Sequence, residues 1–178
     1  IHSIVHKQQE EFGKIFRDDV LEELKKNNVF LISEKELNEE NEKFLKDYFY
    51  DNVLPNIQPA LIEKDGYTPF LHNRRLYLSV KLADEKSKEN NFTYALVEIP
   101  TLTLPRFVQL PSSDDKTYYI FLDDIIRFCL PEIFKGFKVI DSYSIKLTRD
   151  ADLHIDDEFS GNLLAKIKKG LKKRQIGL

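Results

Sequence analysis

Leu76, Leu78, Val80 and Leu82 alternate with Arg75, Tyr77, Ser79 and Lys81, a period of two that an extended strand with one buried and one wet face satisfies. A polar loop from Asp84 to Asn91 follows, and the next run, Phe92 to Ile99, is apolar on both faces up to Glu98. Residues buried on both sides mark an interior strand, so the two runs predict an antiparallel pair at the centre of a sheet. The rest of the chain has to be arranged around that pair.

Ahead of it the period changes. Ile1, Ile4, Val5, Phe12, Ile15, Phe16, Leu21 and Leu24 recur at three- and four-residue intervals, the spacing of an amphipathic helix. It should end near Asn27-Asn28, because asparagine tolerates the left-handed conformation that closes helices. Val29-Phe30-Leu31-Ile32 then reads as a short buried strand. Asn38 should cap a second helix with acids in its first turn, Glu39 and Glu40, and a stripe of Phe44, Leu45, Tyr48 and Phe49. Pro55 and Pro59 break that pattern.

After the central pair, Arg106 to Leu110 and Tyr118 to Phe121 predict another hairpin, joined by the turn-rich Pro111 to Asp115. Asp123 is the predicted cap of a helix carrying Ile125, Ile126, Cys129, Leu130, Ile133 and Phe134, with Pro131 kinking it and Gly136 ending it. A strand over Val139 to Thr148 leads to an acid-rich corner. A last helix from about Asp156 then presents Leu163, Leu164, Ile167 and Leu171. This mixture predicts an α+β fold: a mixed, mostly antiparallel sheet with helices packed on it, preceded by a long amphipathic helix.

At 178 residues the chain is long enough to bury a core without staples, with 42% hydrophobic and 32% charged residues in the range of soluble globular domains. Cys129 is the single cysteine, so no disulfide forms within the chain, and a reducing compartment, the cytoplasm, is expected. No apolar run approaches the ~18 residues needed to span a bilayer. The N-terminus lacks the layout of a secretion signal. Methionine is absent throughout and the chain opens on a helical pattern, which predicts a piece of a longer protein. The net charge of −3 gives no whole-chain reason to bind a polyanion or nucleic acid.

The ten residues Arg149 to Glu158 hold five carboxylates and His154. Such oxygen-rich runs can hold a divalent cation, but this one lacks the glycine and terminal glutamate of a calcium loop, and Asp156 and Asp157 suit a helix start. The Arg149 guanidinium is shaped for phosphate oxygens or for pairing with Asp150 or Asp152. Lys166 to Arg174 holds six basic residues and no acid. These serve either as a cationic face or as neutralisers of a helix C-terminus. No aromatic residue is interleaved there to stack on bases. His2, His6 and His72 are scattered; His2 and His6 are four apart on a helix without a third ligand at usable spacing, so no metal site is expected. The chain shows no glycine-rich phosphate loop and no serine-nucleophile motif.

Several runs, taken together, have a familiar order. FLISEKELNEENEKFLKDYF from Phe30 to Phe49, YALVEIP from Tyr94 to Pro100, PRFVQLP from Pro105 to Pro111, LDDIIRFCLPEIFKGF from Leu122 to Phe137 and SYSIKLTRDAD from Ser142 to Asp152 resemble the middle domain of the bacterial polyphosphate kinases. Residues 1 to 28 resemble the end of that family's helical N-terminal domain, and 29 to 178 its middle domain, stopping short of a further strand.

The resemblance implies an ATP-dependent, reversible phosphotransferase that extends inorganic polyphosphate through a phosphohistidine, with magnesium and arginines offsetting the charge of the phosphoryl group. In the family that histidine lies in C-terminal domains, and the nucleotide also touches the N-terminal one. His2, His6, His72 and His154 match no catalytic position, so the resemblance implies no catalytic residue and no cofactor here, with ATP and magnesium belonging to the parent enzyme. It implies a cytoplasmic homo-oligomer in which this portion helps subunits associate and lies near the path of the polyphosphate chain. Arg106 and Arg149 are the matched candidates for phosphate contact.

Overall fold

A computed structural model of the chain describes residues 2–62, 71–84 and 92–148. In chain order its elements are α1 (His2–Ile15), a π-helical turn (Phe16–Val20), α2 (Leu21–Lys26), β1 (Val29–Ile32) and α3 (Glu39–Tyr48). A second π-helical turn (Phe49–Val53) and a 3-10 turn (Leu54–Asn56) precede β2 (Ala60–Ile62), β3 (Leu76–Asp84) and β4 (Phe92–Glu98). The chain continues through β5 (Phe107–Leu110), β6 (Thr117–Phe121), α4 (Leu122–Phe128), α5 (Leu130–Ile133) and β7 (Phe137–Lys146). The architecture is α+β, as expected, with its strands divided between two sheets.

The local signals act as chemistry predicts. Asn28 takes the left-handed conformation at φ 59° just beyond α2, and its carbonyl accepts the Thr117 N–H at 2.8 Å, so the turn that closes the helix also aligns β1. Asn38 caps α3, its side-chain oxygen accepting the Asn41 N–H at 2.8 Å. This satisfies a donor that the first turn would otherwise leave bare.

The alternating run forms β3, with Leu78, Val80 and Leu82 fully buried and Ser79 and Lys81 half-buried on the other face. It pairs antiparallel with β4, Leu78 opposite Val97 and Tyr77 opposite Glu98. The order β2-β4-β3-β7 makes these two the inner strands of a four-stranded sheet. Gly136, at φ 88°, turns the chain into β7, which starts two residues before the expected Val139 and pairs antiparallel with β3 around a bulge at Lys81/Leu82.

The hairpin β5–β6 forms where expected but belongs to a separate three-stranded sheet, β1-β6-β5, in which β1 runs parallel to β6. Two compact units result. One comprises the described parts of Ile1–Asn56 and Pro100–Cys129, with a core that includes Leu45, Phe49, Val53, Ile120, Leu122, Ile125 and Ile126. The other comprises the described parts of Ile57–Ile99 and Leu130–Leu178, with Leu78, Val80, Leu82, Ala95, Val97 and Ile99 in its core.

Two helix expectations are corrected. Phe121, not Asp123, is the N-cap of α4, and no side chain caps it. The strand runs straight into the helix, because the Leu122 N–H is still donated across the hairpin to the Arg106 carbonyl at 3.0 Å, and Asp123 is carried into the first turn. The predicted single kinked helix is also two, divided at Cys129. Pro131 lies in the first turn of α5, where a missing N–H costs little. The acidic corner 150–158, His154, the last helix and the basic run 166–174 lie outside the described residues.

Leu78→Ala, which empties a fully buried position, is expected to lower unfolding free energy by about 2–5 kcal/mol, and Asn38→Ala by about 1 kcal/mol. Chemical denaturation of the two variants measures both, and a smaller loss for Leu78 than for Asn38 contradicts the assigned core.

Candidate functional site

Arg106 sits at the start of the β5–β6 hairpin, and its surroundings are structural. Its Nη2 is 3.1 Å from Oδ1 of the nearly buried Asp123, and its guanidinium carbon lies 5.1 Å from the centre of the Phe121 ring. Nη1 is buried without a hydrogen-bond partner, so that nitrogen is not presented to an incoming anion. The first turn of α4 supplies the carboxylate, and the cation is held between it and an aromatic face. Arg149 lies outside the described residues.

One helical turn from Asp123, Arg127 bridges Asp124, with which it makes a close ion pair, and Glu34, at 3.7 Å. Burial pushes the Asp124 carboxyl up to about 6, with Asp123 and Glu34 adding to the shift and Arg127 opposing it. The folded-state pKa thus exceeds the ordinary 3.8. The associated stability is complete below about 4 and is lost as pH rises through about 6.

A second polar cluster lies in the other unit, at one end of its sheet. Cross-strand register places Glu98 opposite Tyr77. The Tyr77 hydroxyl donates to Glu98 Oε2 at 3.1 Å and itself accepts the His72 N–H at 2.6 Å. His72 Nδ1 is 3.0 Å from the same carboxylate oxygen, and Arg75 Nε is 3.7 Å from Oε1. Burial raises the Tyr77 phenol above its usual range, keeping it a donor at neutral pH. No local motif marks this cluster. Alternation alone places Tyr77 on the polar face of β3, but the pairing with Glu98 depends on a register that the sequence does not reveal.

The helical histidines are on the surface. His6 pairs with Glu10 at 3.2 Å, and both side chains are well exposed. His2 is exposed. Among the described residues, no group of three or more His, Cys, Asp or Glu side chains is placed to hold a metal ion, and no helix is long and apolar enough to cross a membrane. Much of the apolar side of the leading helix is left exposed by the described residues: Ile4, Val5, Phe12, Ile15, Val20 and Leu24 are exposed, Phe12 to 71%, while Phe16 and Leu21 are half-buried.

With that geometry in place, comparison with known proteins defines the class. The family model of the polyphosphate kinase middle domain matches residues 40–178. A polyphosphate kinase of Yersinia pestis is 37% identical over 180 residues, covering 98% of this chain and 26% of the relative. That of Escherichia coli K12 is 35% identical, covering 98% and 25%. The crystal structure of polyphosphate kinase from Porphyromonas gingivalis superposes with a TM-score of 0.78 at 34% identity, over 84% of this chain and 25% of that one. The chain belongs to the polyphosphate kinase family. It spans about a quarter of the length of the relatives it matches.

Two outcomes follow from the charged groups. Arg106→Ala is expected to destabilise the protein by about 1–3 kcal/mol, because it strips the cation from a nearly buried carboxylate that part of the solvent still screens. Asp124→Asn is expected to raise stability by on the order of 1 kcal/mol above pH 6 and to leave it unchanged near pH 4. Thermal denaturation across that range tests the sign, and a gain that grows toward low pH refutes it.

Proposed function

We propose that this chain is a non-catalytic portion of a polyphosphate kinase, with residues 1–28 ending a helical domain and 29–178 forming the middle domain. The observation that carries this reading is the family match over residues 40–178. The whole enzyme would reversibly move the γ-phosphate of ATP onto inorganic polyphosphate through a phosphohistidine in a part of the protein outside this chain. It would work in the bacterial cytoplasm.

The chemistry of the described residues supports leaving ATP and magnesium to those other parts. His6 and His72 are each set against a single glutamate, and the sequence has no glycine-rich phosphate loop. Incubation of the 178-residue chain with γ-labelled ATP, magnesium and polyphosphate should leave the protein unlabelled and the polymer unextended. Acid-labile label on the chain overturns the non-catalytic assignment.

For its own role we assign assembly within a homo-oligomer, together with guidance of the polyphosphate chain and no part in nucleic-acid binding. Assembly is supported by the apolar side chains that the described residues leave exposed along α1 and α2, which surrounding protein would bury at a gain of roughly 25 cal/mol per Å². In isolation that stripe should drive self-association of the chain. Light scattering should therefore give a mass above that of the monomer, reduced to the monomer in Ile4→Asp/Phe12→Asp, and equal masses would sink the assembly role of this helix. For guidance, Arg106 is already engaged by Asp123 and Phe121, which favours Arg149 over it as a phosphate contact.

A further inference from the structure

The segment His72-Asn73-Arg74-Arg75, just ahead of β3, concentrates cationic chemistry in a chain of net charge −3. One guanidinium and an imidazole there, those of Arg75 and His72, lie against the Glu98 carboxylate. Of the two arginines, Arg75 is held at Glu98 and Arg74 is exposed. The His72 side chain is 59% exposed while its Nδ1 stays on Glu98. Glu98 is itself steadied by the Tyr77 hydroxyl, so the carboxylate orients two of the three cationic groups rather than neutralising all of them.

The backbone here is strained. Arg74 adopts a left-handed φ of 60°, which disfavours any residue with a Cβ. The strain is held by the sheet: the Arg74 N–H donates to the Leu147 carbonyl at 2.9 Å, and the Leu147 N–H to the Arg75 carbonyl at 3.4 Å. Arg75 is held at Glu98 and Arg74 is exposed. Strain of this kind, imposed by surrounding structure on a charged exposed residue, recurs at ligand-binding positions.

We infer that the turn His72–Arg75 is an anion-binding site for a chain of linked phosphates, with Arg74 as its outward contact and His72 and Arg75 oriented by Glu98. A guanidinium fork and an imidazole N–H match phosphate oxygens. Among the described residues of this cluster the aromatic side chain is Tyr77, which is buried, so none of them offers a ring on which a base could stack, which favours a bare phosphate chain over single-stranded nucleic acid. The inference deepens the guidance role proposed above and rests on it.

Arg74→Gly separates binding from folding, because glycine accepts φ 60° without strain. The 178-residue chain and this variant would be titrated with long-chain inorganic polyphosphate at 150 mM salt, with single-stranded DNA of equal charge as control. The expected result is binding of polyphosphate in preference to DNA. In Arg74→Gly the affinity should fall at least fivefold and the slope of log affinity against log salt by about one, at an unchanged or higher Tm. Binding that Arg74→Gly leaves intact overturns this site and spares the guidance role. No binding by the unaltered chain overturns both. Equal affinity for DNA overturns the selectivity for a bare phosphate chain.

Discussion

The antiparallel pairing of β3 with β4 is the constraint on which one compact unit and its polar cluster depend. It buries Leu78, Val80 and Leu82 beside Ala95 and Val97, and it gives β7 a strand edge to pair with. The same register that aligns the apolar face puts Glu98 across from Tyr77 on the other face. Because side chains alternate, a one-residue slip would turn the buried leucines outward and take Glu98 from its partners together. Packing and the polar cluster are therefore set by one choice.

The described arginines show how little residue type alone says about function. Arg106 and Arg127 lie against carboxylates of α4, and a nearby aromatic ring or second acid completes each environment. Arg106 holds its elements together, since without it the Asp123 charge is stranded in a poorly solvated place, whereas Arg127 only partly offsets the burial of Asp124. Arg74 differs because, among the described residues, what the fold is seen to control is its backbone. Its charge faces water while its main chain is pinned to Leu147.

The family was legible in five ordered runs, Phe30–Phe49, Tyr94–Pro100, Pro105–Pro111, Leu122–Phe137 and Ser142–Asp152. They correspond to structural joints. The first contains three of the four residues of β1 and the cap of α3, the third the short strand β5 between two prolines, and the fourth the strand-to-helix passage at Leu122 and the closing Gly136. Prolines flanking β5 shorten an edge strand and limit unwanted pairing. The His72–Arg75 turn lies outside all five runs, so the resemblance did not point to it.

Local interactions decided what the sequence alone made readable. Period two at Leu76–Leu82, the asparagines that close α2 and cap α3, and the glycine before β7 act on neighbours within a few residues, and each appears as expected. The divided sheets, the parallel pairing of β1 with β6 and the passage of Asp123 from cap to ion pair were decided by contacts between residues far apart in the chain. So was the meeting of His72, Tyr77 and Glu98. Periodicity records which faces are apolar but not which strand lies beside which. Pairing is chosen by the packing free energy of the whole fold, which no local stretch of sequence contains.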